Sequence, residues 1–211
     1  MEIIYLNEVD STHKYLKEYI KHNGYKNQLA IVSNYQTDGI GSRDNTWIGE
    51  KGNLFLSFVI NKNDLPEDLP LQSASIYFSF ILKELLVDCG SKVWLKWPND
   101  FYIDSKKIGG TITNLQGDLL LCGIGINLTY ISDQFGYLDI KFYLKRYLNE
   151  YFNLLDKKIS WKQIFSKYRV EFGKSKQMKT TINHKKVSLT DAILNFDGSI
   201  FIENKKVYSL R

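Results

Sequence analysis

The run Lys96-Trp97-Pro98-Asn99-Asp100 places a cation at the end of an apolar segment with a Pro-Asn turn directly behind it. Proline fixes the turn, Asn99 and Asp100 can bond to their own backbone, and Lys96 is thereby held as a point charge. A fixed ammonium suits chemistry on anions. The plainer alternative is an ordinary turn whose lysine reaches past apolar neighbours to water. Lys107-Ile108-Gly109-Gly110 adds a second lysine before two glycines in a strand-like run, where glycine marks a bulge or a close backbone approach. Gly39-Ile40-Gly41, within Gln36 to Trp47, supplies a backbone free to turn its N–H groups toward an anion. That loop lacks the Gly-x-Gly-x-x-Gly helix entry and the Gly-Lys-Ser/Thr of a phosphate loop, so both nucleotide motifs are set aside; a mobile surface loop is the competing reading. No Ser-His-Asp or Cys-His arrangement marks a protein nucleophile.

The elements that must carry these residues follow from hydrophobic spacing. IIYLN reads as a strand, and Asp10-Ser11-Thr12 offers an N-cap to an amphipathic helix that ends at Asn23-Gly24. LAIVSNY and NLFLSFVIN are strands flanking the Gly39 loop, and residues 62–70 form a polar connection. Ala74, Tyr77, Phe78, Ile81, Leu82, Leu85 and Leu86 trace the buried stripe of a long helix. KVWLKW, DFYID, KIGGTITNL and DLLLCGIGINL follow as four strands in quick succession, the last ending on Asn127. Strands this close predict an α+β fold, a mixed, mostly antiparallel sheet with helices on one face. Residues 139–173 read as helix ending at Gly173, and residues 176–211 as a small module of four or five strands. Thirty-six residues cannot bury enough surface to stand alone, so this module is expected to pack on residues 1–175.

Composition narrows the function classes. With 211 residues, 44% of them hydrophobic, the chain can bury a substantial core. The longest apolar runs fall well short of the roughly 20 residues that cross a bilayer, and no signal peptide is evident; a cytoplasmic protein without a membrane partner is expected. Cys89 and Cys122 lack metal-site spacing and His13, His22 and His184 are scattered, so no metal held by protein side chains is expected. A net charge of +5 is compatible with nucleic acid or acidic substrates, but no dense basic cluster favours nucleic acid.

Together the segments resemble the biotin protein ligases, which adenylate biotin with ATP and transfer it to a lysine of a carboxylase subunit. The resemblance rests on Asp10-Ser11-Thr12, Gln36 with the Gly39 loop and Trp47, Lys96 to Asp100, Lys107 to Gly110, and Gly123 to Asn127, in that order. It covers residues 5–130 and extends weakly to the terminal module, which looks like the SH3-like end domain of the family. It implies biotin, ATP and Mg2+ as ligands, a biotin carboxyl carrier protein (an acetyl-CoA carboxylase subunit) as acceptor, no nucleic acid partner, and leaves a homodimer open. A monofunctional form is expected, since the chain begins directly with its first strand and leaves no room for an N-terminal helix-turn-helix. A lipoate or octanoate ligase or transferase of the same fold is the runner-up. By similarity Ser11, Thr12, Gln36, Gly39, Ile40, Gly41, Gly109 and Gly110 surround biotin. Lys96 and Arg43 act in catalysis, Lys96 lying between the biotin carboxylate and the α-phosphate. Ser42, Arg43, Trp47, Asn99, Lys107 and Asn127 hold the nucleotide. The loop departs from the family's arginine-rich pattern at Ile40, Ser42 and Asn45, leaving Arg43 as its one arginine.

Overall fold

The computed structural model describes residues 1–42, 45–47, 49–183 and 185–208. Nine β-strands come first: β1 (Glu2–Leu6), β2 (Leu29–Ser33), β3 (Gly39–Ile40), β4 (Thr46–Trp47), β5 (Leu54–Asn61), β6 (Trp94–Lys96), β7 (Asp100–Ile103), β8 (Lys106–Gln116) and β9 (Leu119–Ile126). Seven of them form one sheet in the order β1-β2-β5-β9-β8-β7-β6. Only β1 and β2 pair in parallel; every other neighbour is antiparallel. The expected mixed, mostly antiparallel sheet is therefore present.

The helices, however, lie on both faces of it. Helix α1 (Thr12–Asn23) packs Leu16 against Leu29, Ile31, Val59 and Leu121. The opposite face carries α2 (Ala74–Asp88), α3 (Leu144–Asp156) and α4 (Trp161–Ser175), with Phe58, Leu56, Cys122 and Ile124 beneath them. Adjacent residues such as Phe58 and Val59 thus belong to different cores. That corrects the one-sided expectation, and the reason is in the strands: LAIVS and LFLSFVI are buried at every position, as strands covered on both sides must be.

Two helix limits also differ from the spacing. The helix after residue 139 begins at Leu144, because Asp139 instead accepts from Ser91 Oγ and from the Lys92 N–H, which ties that stretch to the α2–β6 connection. Helix α4 runs two residues past Gly173 to Ser175. The 62–70 connection opens with a 3-10 turn at Lys62–Asp64.

Beyond α4, β10 (Lys179–Ile182) pairs with β11 (Lys185–Ser188), and β12 (Ile193–Leu194), β13 (Ile200–Ile202) and β14 (Lys205–Val207) make a second small sheet. Leu189, Ala192, Ile200 and Ile202 are buried in the main core. Two buried indoles find their acceptors here: Trp97 Nε1 donates to Gly198 O at 3.0 Å and Trp161 Nε1 to Phe196 O at 2.7 Å. Gly198 has φ +78° and a Cβ there would stand 2.3 Å from Ser73 Oγ, so only glycine closes this contact.

Candidate functional site

The site lies where the α1-covered face of the sheet continues past the end of the helix. Side chains on that face are lost one strand pair at a time. Gly123 lies opposite Ser57 and Ile112, and Gly125 opposite Phe55 and Gly110. The register carries the same row outward, from Gly110 to Asp100 and from Asp100 to Lys96. Paired residues share a face, so Phe55, Gly125, Gly110, Asp100 and Lys96 form one transverse line across five strands, roughly 19 Å at the usual strand spacing. A recess of about 530 Å³, its open mouth included, sits over the glycine part of this line.

Its inner end is neutral. Beyond β1 and β2 the two chains stay side by side: Thr37 N–H donates to Val9 O, Asp38 N–H donates to Asp10 O, and Val9 and Gln36 form a parallel bridge. This brings the start of α1 against Gln36. Gln36 Oε1 accepts from Thr12 N–H at 2.7 Å and from Thr12 Oγ1 at 2.9 Å, satisfying a helix-start donor that has no partner inside the helix. Thr12 Oγ1 also meets Ser57 Oγ at 2.8 Å. Ser11 is the N-cap, its Oγ accepting a long bond from the Lys14 N–H at 3.5 Å. The Nε2 donors of Gln36 have no hydrogen bond among the described residues, which suits a carbonyl acceptor. His13 lines the same end; burial, with nearby Lys17, lowers its pKa to about 4, so it is a neutral imidazole at pH 7.

The long loop folds as a miniature hairpin rather than lying open. Gly39 pairs with Trp47 and Ile40 with Thr46, and Gly41 N–H donates to Asn45 O at 2.7 Å. Its tip includes Arg43, which lies outside the described residues. Trp47 rests on the glycine strand: a Cβ on Gly125 would come within 2.5 Å of its Cε2 atom. Its buried indole N–H has no partner among the described residues.

The outer end is ionic. Asp100 Oδ1 meets Lys107 Nζ at 2.6 Å and Asp100 Oδ2 meets Lys96 Nζ at 3.4 Å. Burial pulls the Lys96 pKa below the usual lysine value; the Asp100 charge opposes that, and Lys107 and Lys186 add to it. Burial pushes the Asp100 carboxyl up, but the two ammonium groups outweigh it and leave the pKa below the ordinary value. The turn thus works differently from the sequence expectation: Asp100 reaches two lysines, and Asn99 Nδ2 donates to Thr111 O at 2.6 Å, instead of either bonding its own backbone. A second recess adjoins this end, lined by Ser42, Asn45, Lys96, Lys107, Lys179 and Lys186 among others.

Of the residues singled out by sequence, Ser11, Thr12, Gln36, Ile40, Gly41, Ser42, Trp47, Asn99, Lys107 and Gly110 line the first recess, and Lys96 lines the second. Gly39, Gly109 and Asn127 line neither. Gly39 seats against Trp47 O, and Gly109 faces Gly125 O, where a Cβ would stand 2.5 Å away. Asn127 is buried, donates from Nδ2 to Gly136 O at 3.1 Å, and keeps an Oδ1 acceptor without a partner among the described residues. Sequence reasoning gave no site role to Ser57, His13, Lys179 or Lys186, and saw Asp100 only as a turn residue. The alternate spacing of Gly123 and Gly125 on a strand was the available signal for where the recess opens.

A sequence model of the biotin/lipoate A/B protein ligase family matches residues 5–128, more than half of the chain. The chain belongs to the biotin/lipoate A/B protein ligase family. This ligase-family chain also matches the crystal structure of biotin acetyl coenzyme A carboxylase synthetase from Helicobacter pylori with bound biotinylated ATP, at a TM-score of 0.93 and 38% identity, covering 98% of this chain and 99% of that one. Biotin protein ligase from Aquifex aeolicus in complex with biotin and ATP shares the fold, with a TM-score of 0.70, 24% identity, and 100% and 96% coverage. The bifunctional ligase/repressor BirA of Escherichia coli strain K12 is 32% identical over 127 residues, 57% of this chain and 38% of that protein. BirA of Bacillus spizizenii is 29% identical over 138 residues, 63% and 42% respectively. The chain spans less than half the length of these curated relatives.

Proposed function

We propose that this protein adenylates biotin with MgATP and transfers the biotinyl group to a lysine of a biotin carboxyl carrier protein. The observation that carries the reading is the single line of the sheet that runs from a recess with a neutral, hydrogen-bonding inner end to a lysine-rich one. A ureido ring needs donors and acceptors without net charge, and the Ser11, Thr12 and Gln36 end offers these. A carboxylate attacking an α-phosphate brings two anions together, and Lys96 and Lys107 stand where that repulsion would build. A biotin carboxylate oxygen bonds to the α-phosphorus and pyrophosphate leaves. The neutral amine of the acceptor lysine then attacks the carbonyl carbon of the mixed anhydride, an amide forms, and AMP departs. No protein nucleophile is needed.

Magnesium enters with the nucleotide as part of the substrate. Among the described residues no group of three His, Cys, Asp or Glu side chains could hold a metal ion, and Asp100 is already engaged by two lysines. The indole of Trp47 and the unpartnered Oδ1 of Asn127 are our assignment for the adenine. We read residues 1–175 as the catalytic unit and 176–211 as a module that serves it, and infer a cytoplasmic location. No helix among the described residues is long and apolar enough to cross a membrane, and both cysteines are free thiols.

The test is biotin-dependent exchange of pyrophosphate into ATP, followed by transfer to a purified carrier domain. Exchange with lipoate but not biotin would move the chain to the other branch of its family.

Two further outcomes follow from the ionic end. Asp100→Asn removes the charge that holds the Lys96 pKa up and leaves the repulsion from Lys107, so Lys96 must lose its proton at lower pH than in the parent. The alkaline fall in exchange rate should therefore move to lower pH; a limb that stays in place would exclude Lys96 as the titrating group. Lys179 and Lys186 reach the second recess from the terminal module, where they suit the β- and γ-phosphates in place of the loop arginines. Lys186→Ala should raise the KM for MgATP roughly threefold to tenfold, as expected for an exposed charge, and leave the biotin KM unchanged. Equal effects on both KM values would remove it from the phosphate site.

A further inference from the structure

The strand that carries Lys96 is the last in the sheet, so one side of it has no neighbouring strand. An edge strand of three residues has few ladder bonds of its own to fix its register, and a slip of one residue would turn Lys96 from the site to the apolar core. Helix α4 takes the place of the missing strand. Glu171 Oε1 accepts from the Leu95 N–H at 2.8 Å, and Ser175 Oγ accepts from the Trp97 N–H at 2.9 Å. Tyr168 OH adds a bond to the Pro98 carbonyl at 3.1 Å. The match is geometric. Four residues of helix rise about 6.0 Å and two residues of strand about 6.6 to 6.8 Å, so a parallel helix can serve two successive outward N–H groups with side chains one turn apart. Glu171 is 9% exposed and Ser175 and Tyr168 are fully buried, yet none of the three lines either recess of the site. The second oxygen of Glu171 pairs with Lys83 Nζ at 2.6 Å.

We propose that Glu171 and Ser175 are positioning residues, which hold β6 in register from outside the sheet and so keep the Lys96 ammonium opposite Asp100. The proposal rests on the adenylation reading above. It separates the backbone bond made by Glu171 from its ion pair, since Glu171→Gln keeps an oxygen for the Leu95 N–H but loses the charge facing Lys83.

The experiment compares Glu171→Gln, Glu171→Ala and Ser175→Ala with the parent for pyrophosphate exchange at saturating substrates, alkaline pH profile, biotin affinity and amide hydrogen exchange at Leu95 and Trp97, each per folded molecule. Glu171→Gln should melt earlier but keep kcat within threefold. Glu171→Ala and Ser175→Ala should lose tenfold or more in kcat, with an alkaline limb at lower pH and biotin affinity within threefold, because the Ser11 to Gln36 end is untouched. If both alanine variants keep the parental kcat and pH profile, the helix is only structural and the proposal fails. It also fails if the glutamine variant is as slow as the alanine one, which would make the Lys83 pair the active element, or if biotin affinity falls in step with kcat. A parent without biotin-dependent exchange would instead sink the adenylation reading. The clamp is then judged by the Leu95 amide, which must stay protected in Glu171→Gln and lose protection in Glu171→Ala.

Discussion

Lys96→Ala is expected to lower the proposed biotin-dependent pyrophosphate exchange about a hundredfold at saturating biotin and ATP while leaving the protein folded. A group that meets charge only as it develops in the transition state is worth on the order of 3 kcal/mol, which corresponds to that factor. Lys96 is only 6% exposed, and water cannot readily stand in for its ammonium. The fold survives because Asp100 is not left alone: its other oxygen still pairs with Lys107 at 2.6 Å. Removing one partner of a buried pair is severe when the remaining charge has no other counterion, and here it has one. A rate within threefold of the parent would take Lys96 out of the chemistry.

Gly125→Ala and Gly109→Ala create the same nominal clash and should have opposite consequences. At either site a new Cβ meets an atom at 2.5 Å. At Gly125 that atom belongs to the Trp47 indole, a side chain on a short loop strand, which can swing off the sheet. The expected result is a near-parental melting temperature with the KM for MgATP raised tenfold or more, because the proposed adenine platform is displaced. At Gly109 the atom is the Gly125 carbonyl oxygen, part of the β8–β9 ladder. Backbone cannot rotate away, so the strands must part, at a cost of about 1 to 3 kcal/mol in stability. Thermal melts and nucleotide titrations on both variants decide the matter. If Gly125→Ala destabilises the fold as much as Gly109→Ala does, Trp47 is a core residue and not a movable wall of the site.

Much of this site could be read one segment at a time. The turn around Pro98, the Gln36 loop and the glycine-spaced strand each announce themselves in a few residues, and helix α1 is bracketed by Ser11 and by Gly24, whose N–H bonds to Ile20 O at 2.8 Å. The line from Phe55 to Lys96 could not be read, because its members are neighbours only through the order β5-β9-β8-β7-β6. Hydrophobic spacing reports which face of an element is apolar, not which elements lie side by side. Continuous apolar runs in β2 and β5 pointed to burial on both faces, and the one-sided layout followed from attending to how closely the later strands succeed one another. Ile140 and Phe142 misled differently: they pack on the core from a non-helical segment, with a spacing that a helix turn can also produce. Glu171 and Ser175 gave no local signal at all, since their partners lie 76 and 78 residues away.

The seating of two indoles on the terminal module also bears on how the chain comes off the ribosome. The acceptor for Trp97 is synthesised 101 residues after it, and that for Trp161 35 residues after it. Ile200 and Ile202 fill the same core and emerge with them. Until that stretch clears the exit tunnel, the Lys96 turn has one wall missing and buried donors without partners. The nascent chain should therefore stay open to protease between α2 and α4 when translation is arrested at residue 190, and become resistant once residue 208 is free. Early resistance in the arrested chain would mean that the first 175 residues close without the module. The walls around the Lys96 turn close only after β13 has emerged.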